Sequence, residues 1–139
     1  MKSQLNVIES TELATLWLRR RLGDAMDVIH VPMEASLEAQ EAWAVWRMID
    51  GDQLTAFDAA LDDIWALRRR CPRSLIVAQV AVADVDYFWA LNRAGASIVV
   101  HRAVHAEAAA DQIRNFYRKI PGPCLSLEER IWKNLPWGQ

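Results

Sequence analysis

The sequence predicts an α/β domain built on a parallel sheet, and three observations carry that expectation. Short apolar runs alternate along the chain with amphipathic segments. The runs are continuously apolar, as in Leu75-Ile76-Val77-Ala78-Gln79-Val80, which is the pattern of strands buried on both faces rather than on one. The stretch from Ser74 to Lys119 writes the unit twice: a strand, a helical segment ending at Gly95, a second strand Ile98-Val99-Val100, and a longer helix.

The elements follow in order. Leu5-Asn6-Val7-Ile8 is a first strand; Leu13, Leu16, Trp17 and Arg20 then fall at helical spacing, with Ser10 suited to the N-cap and Gly23 to the position just past the end. Asp27-Val28-Ile29-His30-Val31 is a second strand, stopped by Pro32, which cannot continue a central ladder. Between Met33 and Asp50 two patterns overlap: Leu37, Ala42, Val45, Trp46 and Ile49 share a helical face, while Trp43 to Met48 equally makes a buried strand. The strand is preferred, with Glu34 to Gln40 as a short crossover link.

Asp50-Gly51-Asp52 starts a helix carrying Leu54, Phe57, Leu61, Ile64 and Arg68. Asp58, Asp62 and Asp63 lie early in it and Arg68, Arg69 and Arg70 late, as the helix dipole favours, and Cys71-Pro72 ends it. The charges read as a solvated helix face. The fourth strand spans Leu75 to Val80; Asp84 caps a helix with Val85, Phe88, Trp89 and Leu91; the fifth strand is Ile98 to Val100. The last helix, from about Ala106 to Lys119, sets Ala109, Ile113, Phe116, Tyr117 and Ile120 on one stripe before Pro121-Gly122-Pro123.

Residues 1–121 therefore form one α/β domain. Residues 122–139 form an extension in which Ser126-Leu127-Glu128-Glu129 is a capping box opening a short helix with Ile131 and Trp132, followed by Leu135-Pro136-Trp137. It is expected to pack on the domain or to mediate association.

Composition excludes several classes. A chain of 139 residues, 53% hydrophobic and 24% charged with a net charge of -2, is neither disordered nor attracted to nucleic acid or an anionic membrane by its charge. No run reaches the ~18 apolar residues of a membrane span, and Met1-Lys2-Ser3 leads into no signal-peptide core. The expected location is cytoplasmic, with Cys71 and Cys124 as unpaired thiols. Seven tryptophans, with no basic strip between them, belong to core or interface rather than to a base-stacking platform.

Five strand-helix units in this order, with Arg70-Cys71-Pro72-Arg73-Ser74-Leu75-Ile76-Val77 entering the fourth strand and Arg93-Ala94-Gly95-Ala96-Ser97 entering the fifth, resemble a response-regulator receiver domain over residues 4 to 120. The resemblance implies a flavodoxin-like, doubly wound sheet of order 2-1-3-4-5 with helices on both faces and a crevice at the strand carboxyl ends. It also implies a site: an acidic pair after the first strand, a phospho-accepting Asp ending the third, a hydroxyl after the fourth, a Lys after the fifth, and Mg²⁺ held by the carboxylates.

Carried onto this chain, the site looks dismantled. After the first strand stand Glu9 and Ser10, so one carboxylate of the pair survives. The acceptor position falls on Arg47 or Met48, and Asp50 comes two or three residues late as a possible displaced acceptor, although a turn Asp before Gly51 explains it locally. The hydroxyl position falls on Gln79 or Val80 and the Lys position on Arg102, followed by Ala103 where the family usually has Pro. One acidic ligand and a cation hold too little negative charge to strip a divalent ion of its water. An Arg47–Glu9 salt bridge in place of the metal is one expectation; an anion-binding set of Glu9, Arg47, Gln79 and Arg102 is another.

Nothing else in the sequence announces catalysis. His30, His101 and His105 lack metal-ligand spacing, no nucleophile elbow or phosphate loop occurs, and 5 glycines leave little for a phosphate cradle. The expectation is a non-enzymatic pseudo-receiver without metal or cofactor, acting by protein-protein contact. By the resemblance, its partner or second copy would meet the helix 4/strand 5/helix 5 face of the receiver family, here carrying Asp86, Tyr87, Asn92, Arg93, Arg102, Arg114 and Arg118.

Overall fold

The computed structural model describes residues 3–33, 43–49, 54–81, 84–101 and 103–119. Its elements are β1 (Gln4–Ile8), α1 (Leu13–Leu22), β2 (Asp27–Val31), β3 (Ala44–Ile49), α2 (Leu54–Arg70), β4 (Leu75–Val80), α3 (Val85–Ala94), β5 (Ile98–Val100) and α4 (Ala103–Lys119). The strands form one sheet of order β2-β1-β3-β4-β5, and every neighbouring pair is parallel. The ambiguous stretch before Asp50 is thus a central strand: Val45 and Trp46 are buried on opposite faces, which a single helical stripe would not allow. The link 34–42 and the extension beyond Lys119 lie outside the described residues.

Strand alternation sorts the core into two layers. Leu5, Val7, Ala44, Trp46, Val77 and Val100 face α1 and α4, meeting Leu18 and Leu22 from the first helix and Ala106, Ala109, Ala110 and Ile113 from the last. Ile8, Val45, Ile49, Ile76, Ala78 and Val80 face α2 and α3, meeting Phe57, Ala60, Ile64, Leu67 and Leu91. Small alanines on α4 let that helix approach the sheet closely, and its helical turns begin at Ala103, three residues earlier than the periodicity indicates.

Two helices turn differently from their apolar spacing. On α1 the inward residues are Thr15, Leu18 and Leu22, while Leu13 is 75% exposed and Leu16 also faces outward. On α3 only Leu91 is fully buried, and Val85 and Trp89 face outward. In both, apolar residues occupy more than one face, so spacing alone does not choose the buried one.

One side chain ties the amino edge of the sheet together. Arg68, near the end of α2, donates to the Gly95 carbonyl from Nε at 3.0 Å and Nη2 at 2.7 Å, to the Pro72 and Ser74 carbonyls from Nη1 at 2.9 and 2.8 Å, and to Ser97 Oγ at 3.0 Å. Desolvation by burial lowers the Arg68 pKa, opposed by the charge of Cys71. Gly95 accommodates this clamp: its φ is +126°, and a Cβ there would lie 2.8 Å from Arg68 Cβ and Cγ.

Candidate functional site

The carboxyl edge of the sheet is where a parallel α/β fold gathers chemistry. Glu9 follows β1 with the parity of Val7, so its side chain enters the α1/α4 layer and meets the first turn of α1. There it is almost wholly buried, at 2% exposure. Its Oε2 accepts from the Thr15 amide and the Thr15 hydroxyl, each at 2.6 Å, and its Oε1 accepts from the Ala14 amide at 3.1 Å and the Thr11 hydroxyl at 3.2 Å.

A carboxylate aimed at helix-terminal amides is stabilised by those donors and by the helix dipole. Glu9 therefore does what Ser10 is expected to do from sequence. The N-cap residue is Glu12, which makes no side-chain cap hydrogen bond, and Ser10 lies exposed before it. At the other end Gly23 stays right-handed, with φ -62°, and its amide bonds to the Arg19 carbonyl, so no left-handed cap forms.

The described residues of the neighbouring strand, 44–49, include no acid. Ile8 pairs with Arg47, so the next step of the register sets Met48 beside Glu9, on the same α1/α4 face. Arg47 has the opposite parity. The residue is 4% exposed, and its guanidinium meets Asp63 of α2 through Nε at 3.1 Å and Nη2 at 3.0 Å, while Nη1 donates to Met33 Sδ at 3.0 Å and to the Met48 carbonyl. The expected Arg47–Glu9 salt bridge does not form, because the two side chains leave the sheet on opposite faces. The same parity breaks up the anion-binding set: Arg47 is spent on Asp63, one of the aspartates read from sequence as a solvated face.

Gln79 does face the Glu9 side, but its Oε1 accepts from the indole Nε1 of Trp46 at 2.9 Å. Trp46 is fully buried beside Trp17, ring centroids 6.4 Å apart, so Gln79 satisfies a core donor. His30 and His101 sit at opposite edges of the sheet: His30 Nε2 lies 3.2 Å from the Glu9 carbonyl, and His101 Nδ1 lies 3.4 Å from the Val80 carbonyl. Asp50 and Arg102 lie outside the described residues.

A divalent cation of the kind the resemblance implies does not fit what is described. Among the described residues, the one carboxylate at the carboxyl ends of the strands is buried and already accepts four hydrogen bonds, its neighbour is a thioether, and no group of three His, Cys, Asp or Glu could hold a metal ion. Arg47 faces the other side of the sheet.

On the helical surface, Tyr87 stacks on Phe57 with centroids 4.2 Å apart, and Arg114 turns towards α1, donating to the Arg21 carbonyl at 2.5 Å and to Asp24 Oδ1 at 3.2 Å. Both are committed within the domain. Asp86, Asn92, Arg93 and Arg118 are exposed. Among the described residues, no helix is long and apolar enough to cross a membrane.

Neither a family model nor a curated protein matches the sequence. Solved structures do match. The BeF3-activated DrrB receiver domain aligns with a TM-score of 0.67 at 14% identity, over 85% of this chain and 99% of that one. The chain has the receiver fold. A response regulator from Thermotoga maritima, with a TM-score of 0.64 at 17% identity, covers 83% of this chain and 99% of its own. The CheY-like protein tadZ from Pseudomonas aeruginosa reaches 0.67 at 17% identity, over 88% and 98%. At these identities the receiver likeness is one of fold. Sequence reasoning reached that fold and placed Glu9 and Gln79 on the crevice side; it missed Thr15 and Asp63, whose partners become visible only in three dimensions.

Proposed function

We propose that this chain is a pseudo-receiver: a two-component-like signalling domain that keeps the receiver fold, is not phosphorylated, and acts by protein-protein contact without metal, cofactor or catalysis. The observation that carries the reading is the fate of Glu9. Its carboxylate is withdrawn into the N-terminus of α1, with Met48 in register beside it. A thioether cannot accept a phosphoryl group, and phosphoryl transfer needs a cation to neutralise charge on the transferred oxygens. Glu9, Ser10, Arg47, Gln79 and Arg102 are on this reading the remnants of the ancestral positions, with Glu9 and Arg47 turned to packing.

Contact with a partner or a second copy takes place on the α3–β5–α4 side. Arg93 and Arg118 are its exposed cations and Asp86 and Asn92 its exposed polar residues, whereas Tyr87 is stacked on Phe57 of α2 and Arg114 is turned to the end of α1. Residues 1–121 act as the domain and 122–139 as its extension, in the cytoplasm.

The test is an amide NMR spectrum with and without Mg²⁺ plus beryllofluoride, a stable stand-in for the phosphoryl group. An unchanged spectrum from a folded protein is the expected result. Shifts centred on Glu9, Asp50 and Arg102 would overturn the reading and make Asp50 the acceptor.

A further inference from the structure

The helices α2 and α3 carry the same short sequence pattern on the same side of the sheet. Trp65-Ala66-Leu67-Arg68-Arg69 and Trp89-Ala90-Leu91-Asn92-Arg93 both begin with a tryptophan and end with an arginine about one helical turn later. Leu67 and Leu91 point into the core, which sends the tryptophan two residues before and the arginine two residues after to the outer surface. Trp65 is 54% exposed and Trp89 is 65% exposed. Arg69 and Arg93 are exposed beside them, and the Arg69 guanidinium lies over the Trp65 ring, 6.0 Å from its centroid.

Ahead of each tryptophan the outward residues are acidic. Asp58 and Asp62 precede Trp65 on α2, Asp86 precedes Trp89 on α3, and all three are exposed. Their spacings put Asp58, Asp62, Trp65 and Arg69 on one stripe of α2, and Asp86, Trp89 and Arg93 on one stripe of α3. The two helices run side by side in the same direction: Phe57 stacks on Tyr87 near their starts, and Arg68 meets the Gly95 carbonyl at their ends. Together the stripes make one outer face, acidic towards the carboxyl edge of the sheet, aromatic in the middle and basic towards the amino edge. Among the described residues, none of these five charged side chains forms an ion pair within the domain.

A face that is acidic at one end and basic at the other complements itself when two copies meet with their helices antiparallel. A two-fold axis across the helices lays α2 on α2 and α3 on α3 of the second copy. Asp58 then opposes Arg69, Asp86 opposes Arg93, and the tryptophans meet near the axis; a parallel course would oppose like charges at both ends. A partner of one charge sign would satisfy one end of the face and be repelled by the other. Tryptophan and arginine are also the residue types that dominate binding energy at the centre of protein contacts.

We propose that the outer face of α2 and α3 is an antiparallel, two-fold contact between two copies of this chain, centred on Trp65 and Trp89. It goes beyond the α3–β5–α4 contact of the pseudo-receiver reading, in which α2 has no part, and it leaves β5 and α4 to a different partner. The inference is independent of whether the strand-end site is phosphorylated.

The test is sedimentation of the full chain over a concentration series. The unsubstituted protein is expected to pass from monomer to dimer and no further, because a two-fold contact closes on itself. Arg69→Glu with Arg93→Glu leaves an all-acidic face, and Asp58→Arg with Asp86→Arg an all-basic one. All four positions are exposed, so both variants should keep the unsubstituted protein's circular dichroism, and each should dimerise at least about tenfold more weakly. Mixed in equal amounts, the two should recover a one-to-one dimer of near-original affinity. Trp89→Ala should weaken the dimer by at least about tenfold as well. A monomer at every concentration, growth beyond the dimer, or no recovery on mixing would each overturn the proposal. A dimer indifferent to Arg69→Glu but lost on Arg118→Glu would also overturn it, and would assign the second copy to the α3–β5–α4 side. The pseudo-receiver reading fails separately, on the beryllofluoride spectrum.

Discussion

Replacing Glu9 by Ala separates a structural carboxylate from a catalytic remnant. Both hydrogen bonds from Thr15 reach Glu9 Oε2 at 2.6 Å in a fully buried setting, and the Ala14 amide adds a third at 3.1 Å. A buried hydrogen bond to a charged group contributes about 1.5–3 kcal/mol, and leaving helix-terminal amides uncapped costs about 1 kcal/mol more. These contributions overlap, so the expected loss is about 3 kcal/mol, a large share of the ~5–15 kcal/mol that holds a domain together.

For a chain of 139 residues that loss lowers the melting temperature by about 10 °C. Urea unfolding followed by tryptophan fluorescence, to which the buried Trp17–Trp46 pair contributes, measures the loss of stability. Glu9→Gln, which keeps the shape and one acceptor but not the charge, should lose about half as much. Thr15→Val should cost about 1 kcal/mol and be strongly non-additive with Glu9→Gln. The opposite outcome is equally readable. A carboxylate held in reserve for a metal is a burden to the metal-free fold, so Glu9→Ala with unchanged or raised stability would refute the helix-anchor argument.

Three further results are expected. Arg68→Lys removes the planar fork that reaches the Pro72, Ser74 and Gly95 carbonyls, and should lower stability by about 2 kcal/mol in chemical denaturation; Gly95→Ala should cost at least as much, from the positive φ and the close approach of Arg68. Asp63→Ala leaves the buried Arg47 guanidinium without its carboxylate and should destabilise by about 2 kcal/mol, whereas the double change Arg47→Met with Asp63→Ala should recover most of that loss; no recovery would mean that the pair is not the unit. Gln79→Leu strands the Trp46 indole N–H and should cost about 1–2 kcal/mol with a shift in tryptophan emission, while Trp46→Phe in the Gln79→Leu background should add less than it does alone.

The helix α1 illustrates where sequence reasoning reached and stopped. Its limits are legible from spacing within a few residues, but Leu13, Leu16, Trp17, Leu18 and Leu22 offer more than one apolar face. The grip of Glu9 on the amides of Ala14 and Thr15 fixes the rotation of the helix, turns Leu18 and Leu22 inward, and leaves Leu13 in water. A local capping signal at Ser10 is a weaker constraint than a buried carboxylate from the preceding strand.

The sequence by itself determined the order of elements, the parallel strands and the absence of an acid from residues 44–49 of β3. Those features live in local periodicity, in the turn residues around Pro32, Cys71-Pro72 and Gly95, and in the identities of Arg47 and Met48. Only the tertiary structure decided what the strand-end residues touch. Side chains along a strand alternate with a period of two, so Glu9 and Arg47 meet different helices although their strands are hydrogen-bonded neighbours. One residue of register exchanges one face for the other, and that register is set by packing between segments far apart in the chain.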